Sequence, residues 1–192
     1  NALVEDQLRR LRKTLDSAQV HAFLDAHRHG NRILFGRYTG QTPVAGPVER
    51  EASKRLENEL RRQDDAWTRV KAALHAPDVD PDIQYHFPCI EGGEMWSRWD
   101  MQDTPPDILI SNYSMLNIML MREIENNIFE QTRTWLQEDP SNTFFLVIDE
   151  LHSYRGTPGT EVAYILRLFL DRLGLTPASS QLRIMATSAS LD

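Results

Sequence analysis

From Thr143 to Ile148 the chain is almost wholly apolar, and the run stops abruptly at two carboxylates, Asp149 and Glu150. So short a run is read as a strand, and its apolarity predicts cover on both faces, as inside a parallel sheet. Burying unpaired carboxylates is costly, so Asp149 and Glu150 must stand at the rim of that sheet or against a cation. A second apolar run, Leu182 to Ala186, closes in Thr187-Ser188-Ala189-Ser190. Between the two runs lies a well-punctuated helix. Thr157 can cap it, Pro158 suits its first turn, Val162, Ile165, Leu166, Phe169 and Leu173 face inward, and Gly174 can end it. Strand, helix and strand in this order predict parallel neighbours, which would set hydroxyls beside the carboxylates.

Upstream, the alternation recurs. Leu3 to about His29 places Leu8, Leu11, Leu15, Ala18 and Ala22 at helical spacing, with Arg9, Arg10, Arg12 and Lys13 off that face, and so predicts one amphipathic helix. Arg32 to Tyr38, bounded by Gly30 and Gly40, predicts a short buried strand followed by a loop. Val48 to about His75 is crowded with charge, yet Leu56, Leu60, Trp67, Val70 and Leu74 form one apolar stripe of a surface helix. Residues 77–106 hold no sustained period and read as a long loop or insertion. Asp107 to Ile110 is another compact strand, and Tyr113 to Leu136 is helical with a break near Glu123 to Asn127. The expected fold class is α/β, a mainly parallel sheet flanked by helices, whose ligands bind outside the carboxyl ends of the strands.

At 192 residues and 41% hydrophobic, the chain is long enough for one sizeable core. Cys89 is the single cysteine, which excludes an intramolecular disulfide and favours a cytoplasmic protein. No apolar run reaches the roughly 18 residues of a membrane span, so no membrane partner is expected. The missing initiator Met suggests a fragment cut from a longer protein. A net charge of −7 argues against holding nucleic acid by bulk positive field, although a local basic strip can still do so.

Asp149 fits the aspartate that, in phosphate-loop ATPases, holds the Mg²⁺ bridging the β- and γ-phosphates of ATP. Its neighbour Glu150 is the candidate base that orients and deprotonates the attacking water. Taken alone, an Asp-Glu pair is as readily a helix cap beside a solvated side chain. The Ala186-Thr187-Ser188-Ala189-Ser190 segment changes that balance, because two strand ends then converge on one site.

At these residues the sequence resembles the superfamily 2 helicases. Asp149-Glu150-Leu151-His152 is similar to their DExH box, and Ser188-Ala189-Ser190 to their Ser-Ala-Thr motif, with serine for threonine at 190. The resemblance implies a RecA-like fold, with Asp149 on Mg²⁺, Glu150 as base, and His152 linking the box to Ser188, Ala189 and Ser190, which couple ATP state to strand movement. Asn1 to Gln7 resembles the segment leaving the family's second strand. Arg37-Tyr38-Thr39-Gly40 resembles its Thr-Gly loop, and Asp107 to Leu116 its motif Ib region. By the same resemblance Arg37, Thr39, Gly40, Ser111 and Asn112 grip the nucleic-acid backbone, which positions a strand without reading its sequence. Alone, Thr39-Gly40 is an ordinary turn and Ser111-Asn112 an ordinary helix cap.

The stretch Asp149 to Gly156 is most similar to the Lhr and YprA branch of large bacterial helicases, which favours DNA over RNA as the track. The likeness runs over residues 1–192, from motif Ia to motif III of a first RecA-like domain, and implies a second RecA-like domain in the same parent chain. No Gly-x-x-x-x-Gly-Lys-Ser/Thr occurs, so the phosphate cradle is missing. The isolated chain is therefore expected to bind ATP weakly and not to hydrolyse it, which multiple-turnover phosphate release would contradict. Alternatives from other classes are a non-catalytic helicase-like scaffold and a metal-dependent phosphatase or nuclease, the last needing further acidic ligands near Asp149.

Other residues have plainer readings. His21, His27 and His29 lack the spacing of a metal site, and His86 with Cys89 offers at most a remote zinc site. Trp96, Arg98 and Trp99 can stack on a base or simply anchor their loop. Met115, Met119 and Met121 read as core filler.

Overall fold

A computed structural model describes residues 2–45, 48–76, 78–154 and 156–188. The chain divides into two compact units, residues 1–111 and 112–192. Both are α/β units with short parallel strands flanked by helices, an arrangement compatible with a RecA-like fold.

In the first unit, α1 (Ala2–Leu15) and α2 (Ala18–Arg28) replace the single helix expected from Leu3 to His29. The break falls at Asp16 and Ser17, where the Asp16 carboxylate leaves the helix to accept from the Gly93 N–H at 2.9 Å. The break resets the helical phase. Leu8 and Leu24 are buried, while Ala18 and Ala22, expected on the same stripe, are exposed. Arg12, read as off the buried face, is itself buried and forks onto Glu94 at 2.6 and 2.8 Å.

Strand β1 (Phe35–Arg37) lies between β2 (Glu94–Met95) and β3 (Ile108–Ile110), and both pairings are parallel. Phe35 is level with Glu94 on one side and with Ile108 on the other. On helix α3 (Arg50–Ala73) the expected stripe residues Leu56, Leu60, Trp67 and Val70 are half-buried and Leu74 is its cap, while the buried residue is Ala52. Residues 77–106, read as a loop, include a 3-10 turn (Pro81–His86), β2 and the short helix α4 (Arg98–Asp103). A two-residue strand is too short to show a period, which is why the segment looked structureless. Gly93 admits the close approach that starts β2: a Cβ there would lie 2.1 Å from the Ile33 carbonyl oxygen. Its own carbonyl accepts from Phe35 N–H at 2.9 Å. Phe35, Tyr38 and Met101 are fully buried in this unit.

The second unit runs α5 (Tyr113–Met121), a 3-10 turn (Glu123–Glu125), α6 (Asn126–Glu138), β4 (Phe144–Ile148), a 3-10 turn (Leu151–Ser153), α7 (Thr157–Arg172) and β5 (Leu182–Ala186). The break expected near Glu123 is the first of these turns. Helix α7 starts as expected, but its cap is Gly156 with Thr157 as the first helical residue. Gly174, at φ +72°, follows it in the left-handed region. Val162, Ile165 and Leu173 are buried, as are Met115 and Met119 one turn apart on α5, whereas Met121 is exposed. β4 and β5 pair in parallel from Phe144↔Leu182 to Ile148↔Ala186. Helix α7 meets one face of this sheet through Phe169, which packs edge-on against Phe144 of β4 and against Phe129 of α6. The opposite face, expected to be covered, leaves Phe145 58% and Val147 56% exposed. Cover on both faces needs a helical layer on each side, and β5 too is left open, with Ile184 and Met185 exposed.

Candidate functional site

The register of β4 and β5 brings the acidic pair and the hydroxyl segment to one rim. Both strands end level, at Ile148 and Ala186. Thr187 N–H donates to the Ile148 carbonyl at 2.9 Å, and Leu151 N–H returns to the Thr187 carbonyl at 2.8 Å. The backbone therefore stays stitched one step past the strands, and side chains from positions 149–152 and 187–188 face one another.

Their side-chain bonds follow from that stitching. The Thr187 hydroxyl donates to Asp149 Oδ1 in a very short contact. Glu150 N–H points at the same pair, 3.1 Å from Asp149 Oδ1 and 3.2 Å from Thr187 Oγ1. It can do so because Glu150 sits in the left-handed region, at φ 52° and ψ 47°. Few non-glycine residues adopt that conformation, and those that do cluster at functional sites. Its carboxylate reaches back to His152, with Oε2 3.1 Å from Nδ1. The same ring nitrogen lies 3.4 Å from Ser188 Oγ. His152 Nδ1 thus lies within reach of both Glu150 and Ser188. Ala189 and Ser190 lie outside the described residues. Thr187, named from sequence only as one hydroxyl of its segment and given no role of its own, is the hydroxyl in direct contact with Asp149. The signal was its place immediately after a strand parallel to β4.

Asp149 and Glu150 are the carboxylates of the rim that could hold a cation. Mg²⁺ keeps several waters and takes one or two carboxylates together with substrate phosphates. Among the described residues no three His, Cys, Asp or Glu side chains gather into a ligand set.

The residues read as nucleic-acid contacts follow β1 and β3. The Ser111 hydroxyl donates to the Tyr38 carbonyl at 2.8 Å, which joins the two strand ends. Thr39 is 5% exposed, and its hydroxyl accepts from Gln41 N–H at 3.1 Å. Thr42 Oγ1 closes the loop, accepting from Thr39 N–H at 3.1 Å and lying 2.9 Å from the carbonyls of Arg37 and Thr39. Gly40 at its tip is exposed. Arg37 pairs with Glu5. Asn112 caps α5, accepting from Met115 N–H at 2.8 Å. Arg98 works inside the unit: its guanidinium lies over the Tyr38 ring and donates to the Thr39 carbonyl at 2.6 Å. Trp96 and Trp99 are partly buried beside it in sequence, which favours an anchored segment over a base-stacking platform.

The chain is similar to the Druantia protein DruE of Escherichia coli. The two are 35% identical over 230 residues, a match that takes in 100% of this chain and 12% of that protein. The chain thus spans about an eighth of its relative's length. No family model matches the chain. No solved structure matches it either. Among the described residues no helix is long and apolar enough to cross a membrane.

Proposed function

We propose that this chain supplies the magnesium- and water-handling rim of an ATP-driven, DExH-type helicase or translocase that runs on nucleic acid, with DNA as the favoured track. The observation that carries the reading is the junction of Asp149, Glu150 and His152 with Thr187 and Ser188 across the parallel ends of β4 and β5. Similarity over the whole chain to a much longer relative supports reading it as one part of a larger machine.

In this reading Asp149 would hold Mg²⁺, which would supply charge neutralisation to the phosphates of a bound ATP. Glu150 orients the attacking water and takes its proton, because it is the carboxylate next along the rim. His152 receives a contact from Glu150 and one from Ser188, so a shift at the carboxylate is felt at the start of the hydroxyl segment. Gly40 and the Ser111-braced loop form a backbone surface suited to phosphate contact, which would grip a strand without reading its bases. Phosphates brought by ATP need a cradle that this sequence does not contain, so a neighbouring part of the natural polypeptide has to provide it.

The test is Glu150→Gln in the natural polypeptide that carries this sequence. Loss of a positioned base lowers turnover by about 10²–10⁴-fold, while ATP binding measured by equilibrium dialysis stays. Turnover kept within about threefold would remove Glu150 from the role, since general-base loss costs at least 10²-fold. A chain that neither binds nor turns over ATP in any natural context would favour the scaffold alternative.

A further inference from the structure

We infer that Thr187 is a positioning residue that sets both carboxylates of the rim, an inference that rests on the roles given above to Asp149 and Glu150. The Thr187 side chain makes two contacts with the acidic box, donating its hydroxyl proton to Asp149 Oδ1 and accepting from Glu150 N–H at 3.2 Å. Its backbone makes two more, to Ile148 on β4 and to Leu151 just after Glu150. One residue at the end of β5 thus touches the chain before, within and after the Asp149-Glu150 corner.

Each contact has a distinct consequence. A carboxylate that accepts a hydroxyl proton through Oδ1 has its plane fixed against the strand end, and partners of this kind orient a metal-binding group. The amide contact acts on Glu150 through its backbone. At φ 52° that residue occupies a conformation that side-chain-bearing residues rarely take, and it persists only where surroundings over-determine it. Asp149 Oδ1 and Thr187 Oγ1 together receive the Glu150 N–H and hold the turn. The turn in turn aims the Glu150 carboxylate at His152 Nδ1, 3.1 Å away. The hydroxyl is the essential feature, since it must both donate and accept. Serine retains that capacity, and valine keeps the shape without it.

Two measurements test the inference on Thr187→Val and Thr187→Ser. In the natural polypeptide, ATP turnover is followed against Mg²⁺ concentration. Valine is expected to raise the half-activating Mg²⁺ concentration about 10–100-fold, the usual effect of losing a partner that orients a metal ligand, and serine to restore it. In this chain, amide hydrogen exchange is read at Glu150 and at Leu146 within β4. Valine should speed exchange at Glu150 while Leu146 stays protected, and serine should return Glu150 to the parent rate.

A valine variant with parental Mg²⁺ dependence and parental Glu150 exchange, beside an inactive Glu150→Gln, overturns the role of Thr187 and leaves the site reading intact. Loss of protection at Leu146 as well would mean that the hydroxyl serves the strand pairing rather than the corner, and would also overturn it. Parental turnover in Glu150→Gln overturns the site reading instead, whatever Thr187 does to exchange.

Discussion

Arg12→Met and Glu94→Gln are each expected to unfold the first unit far more readily than any surface substitution, while Arg12→Met with Glu94→Met is expected to be nearly neutral. The two side chains are 6% and 7% exposed, and Arg12 Nε and Nη2 meet the two Glu94 oxygens at 2.6 and 2.8 Å. Arg12 Nη1 also lies 3.4 Å from the carbonyls of Tyr85 and His86, long contacts that add little. Removing one partner strands a buried charge, at a cost of about 3–5 kcal/mol, whereas replacing both with apolar groups removes the desolvation penalty with the attraction. Against a total stability of about 5–15 kcal/mol, the single variants lose a large share of the fold. Glu94 is also half of β2 and level with Phe35 on β1, so its loss loosens the edge of the sheet that carries the Thr39 loop. Urea unfolding followed by tryptophan fluorescence reports mainly on this unit, since Trp67, Trp96 and Trp99 lie in it and Trp135 in the other. Single variants that each cost less than about 1 kcal/mol would place the pair with solvent-exposed bridges, and the argument from burial would fail.

Cys89 should react slowly with iodoacetamide at neutral pH. Burial pushes its thiol up from the ordinary value, so less thiolate is present in the folded chain than in the unfolded one. The linked stability is present below the unfolded thiol's pKa and is lost as pH rises above it, so alkaline titration should weaken the fold and Cys89→Ser should flatten that slope. Equal alkylation rates in native buffer and in urea would contradict the burial. Asn112→Ala removes the cap of α5 and should cost about 0.5–2 kcal/mol in thermal unfolding, with Asn112→Asp close to the parent. An alanine variant equal to the parent would show that the Met115 N–H finds water just as well.

The rim was legible in the sequence and its supports were not, for one physical reason. Apolar runs that end in polar residues mark strand ends directly, so β4, β5 and α7 lie where periodicity and punctuation put them. Arg12 carried no such mark. It sits among Arg9, Arg10 and Lys13 on a charged face, and only a partner 82 residues away makes it a buried residue. Residues 77–106 were opaque because β2 is two residues long, and its strand character comes from parallel pairing with β1 rather than from its own pattern. The split between α1 and α2 likewise depends on the contact of Asp16 with Gly93, which no local propensity encodes. The loop at Thr39 shows the same limit at a candidate site. Its Thr-Gly pair was visible, but that the Thr39 and Thr42 hydroxyls bond within the turn shows only in the fold.

That distinction bears on how the rim would engage a metal. Asp149 is already held through Oδ1 by Thr187, and Glu150 is turned toward His152. If the proposed reading holds, a divalent ion would meet one oriented carboxylate here, Asp149. Mg²⁺ gives up its waters reluctantly and relies on substrate phosphates where protein ligands are few. The ion and the nucleotide are therefore expected to arrive as one unit, and Mg²⁺ titrated alone into this chain should shift no amide at Asp149 or Glu150 in a saturable way at micromolar concentrations. Saturable micromolar binding without nucleotide would mean that further ligands close around Asp149, and would move the site toward the metal-dependent phosphatase or nuclease class.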